Sequence, residues 1–276
     1  MLWMKTNYHT HTVWCDGRNT PEEMIVSAIE RGFGALGFSS HSSYPDDSMY
    51  TVPAAKLPEY FAEVRRLAEK YADRIDVLCG VEADYIPGIT DPDRSRYAKF
   101  KPDYIIGSVH YVAASDGALV PVDHSPELLK EGILQHFGGD VKLYLRAYFA
   151  QEREMARRFD FDVIGHPDLC RKFNTKYPYF DEKADWYLDE LKETAEAFAK
   201  SGKLVEVNTG AISRGWMDDA YPSLAFRDML RGKGVRFVLN SDSHSADTLD
   251  CAFGRFAGVE DYVQIVNGLL GRWKCP

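Results

Sequence analysis

Short apolar segments alternate with longer amphipathic stretches along nearly the whole chain. The apolar segments run from Lys5 to His9, Ala35 to Ser39, Asp76 to Glu82, Tyr104 to Val109, Asp162 to Gly165, Leu204 to Asn208 and Arg236 to Ser241. Several are β-branched or aromatic and almost continuously hydrophobic, which predicts strands buried on both faces. Helical periodicity runs through Tyr60 to Tyr71, Val141 to Phe159 and Glu182 to Ser201. Thr20-Pro21-Glu22-Glu23 carries an N-cap, a proline at the first helical position and a capping-box glutamate, with Gly32 closing that helix. Ser125-Pro126-Glu127 repeats the same start. Alternating strands and helices predict a parallel sheet in an α/β fold. No Ser/Gly-rich linker, low-complexity tract or repeat interrupts the chain, so one domain over residues 1–276, closed into a barrel, is expected. An open doubly wound sheet is the alternative, but no Gly-x-Gly-x-x-Gly follows any strand.

Composition narrows the partners. Lys plus Arg number 33 against 42 Asp plus Glu, a net charge of −9, which argues against a broad basic face for nucleic acid. Five cysteines, at 15, 79, 170, 251 and 275, contain no Cys-x-x-Cys pair, so neither a disulfide framework nor a cysteine-ligated zinc is expected. The first residues, MLWMKTNYHT, lack the apolar core of a signal peptide, and no stretch approaches a membrane span. A soluble cytoplasmic protein without a membrane partner is the expectation.

The histidines supply the chemistry. His9 and His11 end the first predicted strand, and His41, His110, His166 and His244 lie at or just past the ends of the second, fourth, fifth and seventh. Carboxylates fall in the same places: Asp16 after the first pair, Glu82 at the end of the third strand, Asp242 two residues before His244. In a parallel barrel all these ends share one face. Residues two apart on an extended segment point to the same side, so His9 with His11, and Asp242 with His244, can each present both groups to one cavity. Imidazoles and carboxylates converging on one mouth predict a multinuclear metal centre, because these donors suit zinc, manganese or iron and a carboxylate can bridge two ions. His124 and His136 fall outside the pattern and receive no role. Asp84 to Phe100, with Pro87, Gly88 and Pro92, reads as an exposed loop.

The segments His9-Thr10-His11 with Asp16-Gly17, Ser40-His41-Ser42, Gly80-Val81-Glu82, Gly107-Ser108-Val109-His110, Gly165-His166-Pro167-Asp168 and Ser241-Asp242-Ser243-His244 resemble the successive motifs of the PHP (polymerase and histidinol phosphatase) superfamily. Within it, Gly107 to Tyr111, Phe137-Gly138-Gly139-Asp140, Asp162 to Leu169 and Glu206-Val207-Asn208-Thr209-Gly210 resemble the histidinol-phosphate phosphatase branch. The resemblance implies a distorted (β/α)7 TIM-like barrel with its metal site at the C-terminal face of the strands. It also implies two to three divalent transition-metal ions (Zn, Mn or Fe). One would take His9, His11, Glu82 and Asp242, a second Glu82, His110 and His166, and a third Asp16, His41 and His244.

The implied activity is hydrolysis of a small phosphate ester, L-histidinol phosphate, to L-histidinol and phosphate in histidine biosynthesis. Phosphoesterase action on nucleotides or phosphotyrosine, or a non-catalytic barrel, are the alternatives. Glu82, Asp242 and His244 are the catalytic candidates, with the proton for the leaving alkoxide coming from Asp242, His244 or a water. Phosphate favours a guanidinium, whose fork fits two oxygens. Arg171, five residues after His166, and Arg214, six after Asn208, are the substrate-binding candidates. Asp84 and Asp123 are weaker ones for the ammonium and imidazole of the substrate.

Overall fold

The computed structural model describes residues 4–44, 50–259 and 262–265. The ends of the expected domain and Cys275 lie outside the described residues. All seven apolar segments become strands: β1 (Lys5–Asn7), β2 (Phe33–Phe38), β3 (Asp76–Cys79) continued by β4 (Val81–Asp84), and β5 (Ile105–Ser108). A hairpin follows, β6 (Tyr111–Ala113) and β7 (Leu119–Pro121), and then β8 (Val163–Ile164), β9 (Leu204–Asn208) and β10 (Phe237–Asn240). The ladders form a parallel sheet ordered β1-β2-β3, a parallel sheet ordered β10-β9-β8-β5-β4, and the antiparallel hairpin. The α/β class and the parallel strands are therefore as expected, with the ladders divided between two sheets.

Two isolated parallel bridges link the sheets: His41, past the end of β2, pairs with Glu82 in β4, and Thr10, past β1, with Ser243, past β10. Between the sheets, Tyr8, Ala35, Leu78, Ile106, Val163, Leu204 and Val238 pack around Tyr104 in a cluster separate from the larger outer core. The Tyr104 hydroxyl donates to the carbonyls of Tyr8 and Phe38. Gly80, between β3 and β4, lies on its ring, where a Cβ would come within 2.6 Å. That contact leaves no room for a side chain, and the ladder breaks there.

Helices cover the outside. α1 (Pro21–Glu30) starts with the expected capping box on Thr20 and Glu23, and the chain leaves it through Gly32 at φ +74°. α2 (Leu57–Lys70) buries Tyr60, Phe61, Val64 and Leu67, and α3 (Arg94–Tyr97) is a single turn. α4 (Pro126–His136) is capped by Ser125 and α5 (Val141–Arg158) by Asp140, each cap worth about 1 kcal/mol. α6 (Asp185–Ser201) packs on α5, and α7 (Gly210–Ser213), α8 (Leu224–Gly232) and α9 (Phe253–Phe256) complete the described helices. None of these helices is long and apolar enough to cross a membrane.

Two features differ from expectation. The segment from Asp84 to Phe100 is partly packed: Tyr85, Ile86, Thr90 and Tyr97 are buried, and Ile86 pairs with Thr90. The turn at Gly88 and Ile89 is exposed, as are Ser95, Arg96, Ala98 and Lys99. The hairpin was not predicted, because three-residue strands carry too little alternation to read. It matters to the site, since the Val122 amide returns to the His110 carbonyl at 2.9 Å and brings the residues after β7 back to the strand ends.

Candidate metal centre

β4 carries Glu82 to the mouth almost completely buried, and five imidazoles surround its carboxylate. His166 Nε2 lies 2.9 Å from Oε1, and His9 Nε2 lies 3.0 Å and His41 Nδ1 3.1 Å from Oε2. His11 Nε2 at 3.4 Å and His110 Nε2 at 3.6 Å complete the ring, and the Ser108 hydroxyl donates to Oε1 at 2.6 Å. The extended backbone after β1 puts His9 and His11 on one side, their rings 5.2 Å apart, while Thr10 turns its hydroxyl to the Gly37 carbonyl. Asp242 adopts φ +50°, a left-handed conformation that few residues other than Gly, Asn and Asp tolerate. Its Oδ1 then lies 3.2 Å from His11 Nε2 and 3.6 Å from His244 Nδ1.

Asp16 forms the outer edge, with Oδ2 3.1 Å from His244 Nε2 and Oδ1 3.7 Å from His11 Nδ1. All nine residues singled out in the sequence converge. Their donor atoms fall into overlapping groups: His11, Asp16, His41 and His244; His9, Glu82 and His166; His9, His11 and Asp242; and His41 and His110 with Asp84.

Electrostatics favour positive charge here. Burial opposes ionisation of Glu82, but His9, His41 and His110 hold its carboxyl well below the usual carboxylate range. Asp242 is likewise buried and held low, chiefly by Arg214 and His9, and Asp16 is held low by His244 and His41. Burial also disfavours charge on His9 and His110. Facing carboxylates outweigh it, raising His9 above its ordinary value and His110 to about 10. Burial together with His244 and His41 pushes His11 down to about 3, leaving a neutral ring with a free lone pair. His11 Nε2 and Asp16 Oδ1 are buried without a hydrogen-bond partner. An orphaned buried acceptor is costly, and a divalent cation would satisfy both. The donor set, imidazole nitrogen and carboxylate oxygen without thiolate, fits zinc, manganese or iron.

The centre floors a cleft of about 240 Å³. Arg214 lines it, its guanidinium 3.2 Å from both Asp242 carboxylate oxygens and 2.8 Å from His244 Nδ1. Gly210 permits that approach, since a Cβ there would meet Arg214 Nη1 at 2.6 Å. Arg171 is not brought to the cleft. Its buried guanidinium turns away to Glu182 at 2.7 Å and Asp168 at 3.5 Å. The neighbouring Lys172 lines the cleft instead, its ammonium 2.8 Å from Asp123. Asp84 is spoken for by His110 Nδ1 at 2.6 Å, which leaves His110 Nε2 facing Glu82.

Three residues of the site are not legible in the sequence. The hairpin returns His124 to the cleft, 3.1 Å from the Tyr111 hydroxyl, with Tyr50 beside its ring. His136 stays at the surface with Asp116, as expected. Tyr221 lines the cleft with a buried hydroxyl lacking a partner. Glu206, in the middle of β9, is fully buried behind His9. An acidic residue inside an otherwise apolar strand was the available signal. Among the described residues, Cys15, Cys79, Cys170 and Cys251 are free.

This parallel α/β fold, with its cluster of imidazoles and carboxylates at the strand ends, is that of a known class: residues 7–210 match the PHP domain family. The chain belongs to that family. It is 32% identical over 266 residues, 94% of this chain and 93% of the relative, to the "Probable histidinol-phosphatase" of Deinococcus radiodurans. It is 31% identical over 237 residues, 81% of this chain and 74% of the relative, to a protein of the same name from Schizosaccharomyces pombe. In fold it is similar to a Listeria monocytogenes protein provisionally assigned as a histidinol phosphatase, with TM-score 0.82, 23% identity, and 91% of this chain and 100% of that one covered. A Lactococcus lactis histidinol phosphate phosphatase, solved with zinc, L-histidinol and phosphate, gives TM-score 0.59 at 21% identity over 88% of this chain and 87% of that one.

Proposed function

We propose that this protein is a histidinol-phosphatase, a metal-dependent phosphomonoesterase that hydrolyses L-histidinol phosphate to L-histidinol and phosphate in histidine biosynthesis. The observation that carries the reading is the buried Glu82 carboxylate ringed by five imidazoles at the floor of an open cleft. The names of the Deinococcus and Schizosaccharomyces relatives direct it to this substrate. A single cytoplasmic domain forms a distorted (β/α)7 barrel, a reading supported by the inner cluster around Tyr104 and by the two bridges between the sheets.

His9, His11, Glu82 and Asp242 would hold one divalent ion; Glu82, His110 and His166 a second; and Asp16, His41 and His244 a third. When bound, such ions supply Lewis acidity, activating a water near neutral pH and neutralising charge on the phosphoryl group. The protein's own groups do the rest. Glu82 joins the inner sites, and its bond from Ser108 fixes the carboxylate plane. Arg214 offers its fork to two phosphoryl oxygens while holding Asp242 in place, and Lys172, which also lines the cleft, adds a point charge. His244, 3.6 Å from the Asp242 carboxylate, would pass a proton to the leaving alkoxide, with Asp242 orienting its ring. Aromatic rims at Tyr44, Tyr50, Tyr111 and His124 give the imidazole end a surface to stack on, and Asp123 offers a carboxylate to the ammonium.

A panel of L-histidinol phosphate, nucleoside monophosphates, phosphotyrosine and an aryl phosphate tests this. Phosphate release should be fastest from histidinol phosphate. Turnover of that compound no faster than of the aryl phosphate would remove the substrate assignment.

A further inference from the structure

We infer that Glu206 is a positioning residue that sets the ring tautomer of His9 and thereby fixes which nitrogen faces the metal centre. The inference deepens the metal reading proposed above and rests on it. Glu206 is fully buried in β9, an unusual place for a carboxylate unless it is saturated with donors. Four donors meet it. The His166 amide donates to Oε1 at 2.7 Å and Asn208 Nδ2 to Oε1 at 2.8 Å. Asn240 Nδ2 donates to Oε2 at 2.8 Å, and His9 Nδ1 lies 2.9 Å from Oε2.

The two asparagines cannot turn round, because each amide oxygen is already engaged. Asn240 Oδ1 accepts from the Tyr8 amide at 2.8 Å and Asn208 Oδ1 from the Gly210 amide at 2.8 Å. An ionised carboxylate only accepts, so His9 must carry its proton on Nδ1. That reserves Nε2, 3.0 Å from Glu82 and 3.7 Å from Asp242, as the nitrogen that would give up its proton to face a divalent ion between the two carboxylates. The same carboxylate ties His9, after β1, to the backbone of His166, after β8, so two ligands from opposite parts of the fold share one anchor.

Glu206→Gln separates this role from simple packing, since size and shape are kept. Placed at the Oε1 corner, the new amide nitrogen would face two fixed donors, the His166 N–H and the Asn208 amide. At the Oε2 corner it faces the Asn240 amide and His9, and the cheapest relief is for His9 to move its proton to Nε2, which blocks that nitrogen as a ligand. Outer partners of metal-bound histidines typically change affinity by about 10–100-fold.

The experiment is zinc titration of metal-free wild type and Glu206→Gln against a competing chelator, followed by activity at saturating zinc. Expected is a zinc affinity lower by about 10–100-fold for at least one equivalent, with turnover recovering as zinc is raised and KM unchanged. Zinc affinity equal to wild type would overturn the assignment. Should the variant not fold, nitrogen-15 NMR of the zinc-loaded wild type decides: a slowly exchanging proton on His9 Nδ1 supports the role, and its absence refutes it. Zinc affinity and the His9 proton are both read without histidinol phosphate, so failure of the substrate assignment would leave these two results standing.

Discussion

Glu82→Gln removes one charge from the centre of the site without changing its shape. The carboxylate faces imidazole nitrogens at 2.9, 3.0, 3.1, 3.4 and 3.6 Å. A unit charge about 3 Å from a unit carboxylate in an effective dielectric of about 20 interacts by roughly 5.5 kcal/mol. The amide dipole and solvent recover part of this. Taking about half, roughly 3 kcal/mol, the affinity for each ion Glu82 would serve falls about 100-fold. Because the proposed bridge serves two ions, the doubly loaded protein becomes about 10⁴-fold less favourable. Metal analysis after equilibration with a weak chelator, together with steady-state turnover, reads both effects. The variant should lose the inner ions first, and its activity should fall at least 10³-fold while circular dichroism stays unchanged. Wild-type metal content with near-normal turnover would refute the bridging argument.

Three further outcomes follow from specific contacts. Arg214→Ala should lower kcat/KM by about 10–100-fold, corresponding to a charged hydrogen-bond contribution of roughly 1.5–3 kcal/mol, while zinc content stays close to wild type; kinetics and metal analysis on one sample check this. Arg171→Ala should do the opposite, leaving kinetic constants of the folded protein unchanged but costing about 3–5 kcal/mol in denaturant unfolding, because Asp168 stays buried without its cation. Glu152→Gln concerns stability and pH. Burial raises the Glu152 carboxyl well above the usual carboxylate range. The folded state therefore holds a proton that the unfolded state releases, and wild-type stability falls as pH rises above that range. The variant's Tm should exceed wild type by a margin that grows from pH 5 to pH 8; a constant or shrinking margin would contradict the burial argument.

Legibility in the sequence followed the strength of local pattern. The strands could be read because burial on both faces writes nearly continuous apolar runs, and β9 matches its segment from Leu204 to Asn208. The metal-site candidates could be read because six histidines at strand ends require no knowledge of the loops. What escaped depends on side-chain direction fixed only in three dimensions. The short turn after His166 sends Arg171 back to Asp168 and Glu182, and its neighbour Lys172 into the cleft, so the cation that lines the cleft is one residue from the one expected. Glu206 sits mid-strand, where sequence alone does not say that His9 lies behind it. His124 reaches the cleft only because two three-residue strands pair across Gly117.

Zinc titration of the metal-free protein with L-histidinol phosphate as substrate tests the central claim most directly. Glu82 ringed by five imidazoles predicts that the chain without metal is inactive, and that activity rises steeply only as a second equivalent of zinc is bound. Full activity without metal, or a maximum reached at one equivalent, would contradict the account.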